Sequence, residues 1–199
     1  MNARRATRAL ALALALGLAL CGCTQRQLGH HLTDVSGLVA PLEFHMTDQD
    51  GAPVSAASYR GDVVMLYFGY THCLDACPTT LATLADAIGQ LGAQGKRVRV
   101  LFVTVDPRRD SEPVLKRYVS NFGPQFVGLR GTRAQLTDMI KRYRVSYHYE
   151  KPDANGAYEV DHSSAVFIFG GRGRARLLAQ TGAPAAVLAA DLRQLLERT

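Results

Sequence analysis

The chain has 199 residues, with 23 Lys and Arg against 17 Asp and Glu, 47% hydrophobic and 20% charged residues, four Cys and no Trp. That size allows one domain, or at most two, with enough apolar material for a proper core. Disorder, a collagen-like repeat and a bundle of membrane spans each need a composition that this chain lacks.

Arg4, Arg5 and Arg8 precede a small and apolar run over residues 9–20, then Cys21-Gly22-Cys23 and the polar Thr24-Gln25-Arg26-Gln27. This is the layout of a secretory signal peptide. The 12-residue apolar run is short of a membrane span, because a bilayer-crossing helix needs about 20 such residues. Leu20-Cys21-Gly22-Cys23 also resembles the lipobox of bacterial lipoproteins, with small Gly22 before a Cys23 that would be acylated and become the first residue. Cys21 fits worse, since Leu20 would then hold the small-residue position. The alternative is an ordinary cleaved signal with an incidental Cys. The expectation is a lipoprotein signal over residues 1–22, a flexible membrane tether over 23–40 and one folded domain over 41–199. Losing residues 1–22 removes three Arg and no acid, leaving a charge of +3 over 177 residues. The remaining basic residues, at 96–99, 141–144 and 172–176 among others, lack aromatic interleaving and read as solvated faces, so no nucleic-acid partner is expected.

Within the tether, His30 and His31 read as exposed linker residues. Residues 42–46, Asp50-Gly51 and Val54 predict a small hairpin, since Asp-Gly favours a tight turn between extended segments. Residues 63–68 form a continuous apolar run rich in β-branched and aromatic types, the pattern of a strand covered on both faces. Pro78 marks the start of a helix in which Leu81, Leu84, Ala85, Ile88 and Leu91 share one face. A buried strand follows over 98–105, an amphipathic helix over 114–122 and a short strand over 126–129. Thr132 and Gln135 make a capping-box pattern ahead of Leu136, Met139, Ile140 and Tyr143. Residues 147–149 and 158–160 predict a hairpin around the turn at 152–156, with strands over 165–169 and 175–179 and a closing helix over 184–198. Alternating strands and helices, then antiparallel strands, predict a three-layer α/β sandwich.

The chemistry lies in Tyr70-Thr71-His72-Cys73-Leu74-Asp75-Ala76-Cys77-Pro78. Two Cys four positions apart approach each other if the turn between them is partly helical. They can form a disulfide, structural or redox-active, or bind a metal together. At a helix N-terminus, the free amides and the positive dipole end are expected to favour the Cys77 thiolate. Two thiolates select soft metals, above all Cu(I), whereas structural zinc usually takes four ligands. A further ligand must come from elsewhere. His162 stands directly before the strand at 164–169, and in a thioredoxin-like topology that loop reaches the Cys-bearing junction; a purely structural His is the alternative. Asp161 reads as a turn former or a group supporting His162, and His72 as a neighbour able to tune Cys73 or as an exposed residue.

Three blocks in order resemble the Sco/SenC family: Gly69-Tyr70-Thr71-His72-Cys73 through Cys77-Pro78-Thr79-Thr80-Leu81, Val105-Asp106-Pro107-Arg108-Arg109-Asp110, and Val160-Asp161-His162-Ser163. The resemblance covers roughly residues 42–199. It implies a thioredoxin-like fold, here a three-layer sandwich with a central mixed sheet and an inserted β-hairpin. It implies a membrane-tethered copper-binding protein that helps assemble the binuclear copper (CuA) centre of cytochrome c oxidase, with Cys73, Cys77 and His162 as copper ligands and Asp106 as an acidic residue near the site. The implied partners are a copper-accepting oxidase subunit or other cuproprotein, a copper donor and a thiol reductant. The expected location is the periplasmic face of the inner membrane, reached through the lipid. Two sulfurs suit Cu(I), while imidazole and an oxygen donor suit Cu(II). The rival reading is a thiol-disulfide oxidoreductase acting on cysteines of an acceptor protein. Leu74 and Ala76 depart from the Pro and Val common in the family, and Gly170-Gly171-Arg172-Gly173 replaces an Asp-Pro turn.

Overall fold

The apolar stretch Val63–Gly69 forms a strand in which every residue is buried, and the molecule is layered around it. The computed structural model describes residues 30–198; the segment read as signal peptide and Cys23 lie outside them. In chain order the elements are β1 (Thr33–Asp34), β2 (His45–Asp48), β3 (Pro53–Ser55), β4 (Val63–Gly69), α1 (Ala76–Gly89), β5 (Val98–Thr104), α2 (Glu112–Val119), β6 (Phe126–Arg130), α3 (Arg133–Tyr143), β7 (Tyr147–Tyr149), β8 (Val160–His162), β9 (Val166–Phe169), β10 (Ala175–Ala179) and α4 (Ala185–Glu197).

An eight-stranded mixed sheet runs β1-β10-β9-β4-β5-β6-β2-β3, and β7 and β8 form a separate two-stranded ribbon. β4, β5 and β6 are parallel, in the register Tyr67 opposite Phe102 and Phe102 opposite Gly128. β9 runs antiparallel to β4, with Val64 opposite Phe169. Because side chains alternate across a strand, neighbouring residues of β4 face different helical layers. Tyr67 packs on Phe102 at 6.2 Å between ring centroids, and Phe102 packs on Tyr118 of α2 at 5.3 Å, on the face that also carries α1 and α4. Phe68 faces the other way, toward Tyr143 of α3 at 6.3 Å, where Phe167 and Phe169 join the same cluster. Helices on both faces make the three-layer sandwich that the pattern predicts. The capping box at Thr132 and Gln135 also forms, each side chain satisfying the other residue's backbone N–H.

Several boundaries differ from the sequence reading. The early hairpin is β2–β3, turning at Asp50-Gly51 with Gly51 at φ +81°, and its first strand begins at His45 rather than at residue 42. α1 begins at Ala76, two residues before Pro78. The described part of the expected flexible tether, residues 30–40, is docked on the domain. Asp191, fully buried in α4, accepts hydrogen bonds from the backbone N–H of His31 at 3.1 Å and of Leu32 at 2.7 Å. β1 then pairs with β10, and the Val35 and Leu42 amides donate to the carbonyls of Arg176 and Gly173 at 2.9 and 2.8 Å. A two-residue strand has no periodicity to read, and the partners that hold this strap lie about 130 to 160 positions away in the chain.

Candidate metal centre

β4 ends at Gly69, and the chain crosses the C-terminal edge of the sheet as residues 70–75 before α1 begins. Cys77 falls in the first turn of α1 and points into the core, with no solvent exposure. Its Sγ lies so close to the end of β4 that a Cβ at position 69 would stand 2.9 Å from the sulfur and 2.7 Å from Cε2 of Phe102. Position 69 therefore admits only Gly without a shift. The Tyr67 hydroxyl donates to Cys77 Sγ at 3.7 Å. The Cys77 amide donates to Cys73 Sγ at 3.3 Å, so a free N–H of the helix start serves the neighbouring sulfur. Both cysteines are free thiols.

The expectation for Cys77 is corrected here. Burial pushes its thiol up to about 12, outweighing the hydrogen bond from the Tyr70 backbone that works in the opposite direction. In a dry environment the charged form loses more hydration than one amide restores. Cys77 is thus protonated in the metal-free protein at neutral pH, and a cation must displace that proton to bind.

His162 is the last residue of β8, not a loop residue. The second hairpin strand lies at Val160–His162, displaced from the expected 158–160, and Tyr147 sits opposite His162 in the ribbon. This ribbon folds back over the Cys loop. His162 Nε2 approaches Cys77 Sγ at 3.3 Å, while Nδ1 is 3.0 Å from the Ser163 carbonyl oxygen. Donation of Nδ1–H to that carbonyl leaves the Nε2 lone pair facing the sulfurs, the tautomer a metal requires. The rings of Tyr67 and Tyr70 meet the imidazole edge-on, each at 6.0 Å between centroids. The ligand atoms of Cys73, Cys77 and His162 all lie within 4.8 Å of one another. Among the described residues, this is the cluster of metal-ligating side chains able to hold an ion, and its two sulfurs and one nitrogen suit a soft one.

A set of buried charges holds these two segments in place. Asp110 accepts from Thr71 Oγ1 at 2.6 Å, from the Thr71 amide at 3.0 Å and from Thr104 Oγ1 at 2.6 Å, tying the Cys loop to the end of β5. Asp106 pairs with Arg109 and accepts from the Tyr158 hydroxyl at 3.1 Å. Arg109 in turn donates to the Tyr158 carbonyl at 2.9 Å and stacks over that ring at 3.6 Å. The Tyr149 hydroxyl donates to the Val105 carbonyl at 2.6 Å. Asp106 therefore anchors the ribbon that carries His162. His72 lies half-exposed with Nδ1 3.1 Å from Thr71 Oγ1 and 3.6 Å from Asp110, and Asp161 is exposed on β8 opposite His148. Asp110, Arg109, Tyr149 and Tyr158 are additions that the sequence did not single out. The sequence signal was adjacency: Arg109 and Asp110 follow Asp106 within the same block.

The family profile described as SCO1/SenC matches residues 38–197 of the chain. The chain belongs to the SCO1/SenC family. The mitochondrial SCO2 homolog of Bos taurus is 40% identical to it over 128 residues, 63% of this chain and 48% of that protein. The SCO2-like protein RC0895 of Rickettsia conorii is 33% identical over 135 residues, 66% of this chain and 65% of that one. The chain thus spans about half the length of the mitochondrial relatives it matches. Among solved structures, Bradyrhizobium japonicum ScoI with copper bound is similar at 33% identity and a TM-score of 0.73, covering 79% of this chain and 100% of that one. The apo Sco1 protein from Thermus thermophilus is similar at 35% identity and a TM-score of 0.71, with 84% and 100% covered. The SCO1/SenC chain accordingly has the expected thioredoxin-like α/β fold with a mixed central sheet, and its β7–β8 ribbon is the inserted hairpin. No helix among the described residues is long and apolar enough to cross a membrane.

Proposed function

We propose that this protein is a copper metallochaperone that helps assemble the CuA centre of cytochrome c oxidase. The observation that carries the reading is the convergence of Cys73, Cys77 and His162 within 4.8 Å at the sheet edge. Copper is cargo. Cu(I) binds the two thiolates and the His162 imidazole, and the imidazole lets the same site tolerate Cu(II). The Asp106–Arg109–Tyr158 assembly keeps His162 in place over the sulfurs, so the third ligand is preorganised. His72 and Asp161 support the site from the rim. Cys73 is the half-exposed sulfur through which an incoming protein ligand can begin to exchange the ion. The donor, the thiol reductant and the accepting oxidase subunit, or another cuproprotein in its place, meet the protein at this edge. A lipid on Cys23, after removal of residues 1–22, holds the protein at the periplasmic face of the inner membrane; acylation by several chains makes that anchor firm.

The closeness of the two free sulfurs supports a second reading. Cys73 and Cys77 can reduce a disulfide of an acceptor protein, their two electrons and two protons passing to it as they join in their own disulfide. The burial of Cys77 leaves Cys73 to attack first.

The test is copper stoichiometry and absorption spectroscopy on the reduced protein lacking residues 1–23, compared with Cys73→Ser, Cys77→Ser and His162→Ala. One copper per chain, with thiolate-to-Cu(II) charge-transfer bands lost or altered in all three variants, supports the metallochaperone. No competitive copper binding by the reduced wild type removes that mechanism and leaves dithiol exchange.

A further inference from the structure

At the opposite end of the sheet from the Cys pair, a cavity of about 350 Å³ opens between the β9–β10 turn and the end of α4. Four of its lining residues are Arg172, Arg174, Arg176 and Arg198. Arg60 adds a fifth guanidinium: it donates to the Arg172 carbonyl and lies against Gly173, where a Cβ would stand 2.5 Å from its Nη1. Gly173, at φ +71°, is favoured by the turn, and Arg60 lies against it. Among the described residues, none of the four cavity arginines forms an ion pair. Asp34, which feels the charge of Arg176, is already engaged with the Ser36 amide at 2.8 Å. The Nε of Arg176 is buried without a hydrogen-bond partner. A buried cationic donor left unpaired is costly, and a bound anion would relieve that cost.

The tether brings one source of anions within reach. Asp191, which grips residues 31 and 32, stands seven positions before Arg198 at the C-cap of α4, about 10 Å along the helix. Cys23 stands seven residues before His30, a reach of at most about 25 Å when extended. A membrane anchored at Cys23 therefore comes within range of the cavity. A headgroup phosphate is the anion available there, and guanidinium forks match phosphate oxygens.

We propose that the arginine cavity binds the phosphate of an anionic membrane phospholipid and so orients the domain on the bilayer. The Cys pair then faces away from the lipid, about 20 Å up the sheet by the rise of β4. The membrane side of this inference rests on the lipid-anchor reading, whereas the cavity stands on the arginines alone.

The test places the full chain on nanodiscs of phosphatidylcholine, with and without phosphatidylglycerol, and follows backbone hydrogen exchange in segments 170–176 and 195–198. Phosphatidylglycerol is expected to slow exchange there by at least about fivefold, the factor one arginine contributes beside an anionic surface. The exposed pair Arg172→Ala/Arg174→Ala loses that difference, and the charge-matched pair Arg133→Ala/Lys141→Ala, exposed elsewhere, keeps it. Equal exchange on both discs overturns the proposal, as does equal loss in the two variants, which indicates general charge attraction. Inorganic phosphate producing the same slowing on phosphatidylcholine discs makes the ligand a free anion and overturns the lipid assignment. Retention of the chain on phosphatidylcholine discs reports the anchor alone, so failure of the anchor and failure of the cavity are read separately.

Discussion

The two ends of the central sheet leave opposite charges to be met. At the Cys end, buried Asp106 and Asp110 fasten irregular segments, and Arg109, the positive charge drawn in with them, is paired. The donors left facing one another there are two thiols and an imidazole. At the other end, Arg172, Arg174, Arg176 and Arg198 line a cavity and pair with no carboxylate among the described residues; buried Asp191, about 10 Å back along the helix from Arg198, is taken up by the strap, accepting from the His31 and Leu32 amides and meeting His31 Nδ1 at 3.1 Å. A buried carboxylate that consumes a guanidinium leaves a site for a cation. Guanidinia with no carboxylate beside them are left for an anion.

The contrast breaks most directly with Cys77→Ser. Cu(I) affinity, read by competition with a chelator, is expected to fall by more than the about 100-fold that supporting groups contribute at most, while Arg172→Ala/Arg174→Ala leaves it unchanged. Gly69→Ala comes next: the added methyl must push Cys77 or Phe102, costing about 1–3 kcal/mol of stability in urea unfolding and weakening copper binding together. Tyr158→Phe sharpens the role of the ribbon. It removes the hydroxyl from Asp106 and is expected to weaken Cu(I) binding about tenfold, with both thiols intact by titration. The smallest effect at neutral pH lies in the metal-free reduced protein. Because Cys77 titrates at about 12 when folded and near 9.0 when unfolded, its contribution to stability is complete below pH 9.0 and is lost as the pH rises toward about 12. Urea midpoints measured across that range are expected to decline in the wild type and to decline less in Cys77→Ala.

The core strands and the convergence of Cys73, Cys77 and His162 were legible because their signals are local or distinctive. The run at 63–68 is short and rich in β-branched and aromatic residues, which favours a covered strand over a helix, and a Cys pair before a helix with a distant Asp-His block carries its chemistry in residue type. The behaviour of Cys77 was not legible. The helix dipole is read from position, but burial depends on which way the first turn faces, and that is set by Gly69 and Phe102 on other strands. The strap was misread for a similar reason: its polar, Gly-containing sequence resembles a linker, and only the docked partner Asp191 shows otherwise. Likewise, Asp106 was recognised as part of the site, yet its work through Arg109 and Tyr158 needed the ribbon's fold-back to become visible.

The central claim is that His162 completes the sulfur pair as one metal site. X-ray absorption at the copper edge, on reduced protein carrying one Cu(I), tests it most directly. Two sulfur scatterers and one nitrogen, with the nitrogen lost in His162→Ala, is the predicted result. A two-sulfur site identical in wild type and His162→Ala would contradict it.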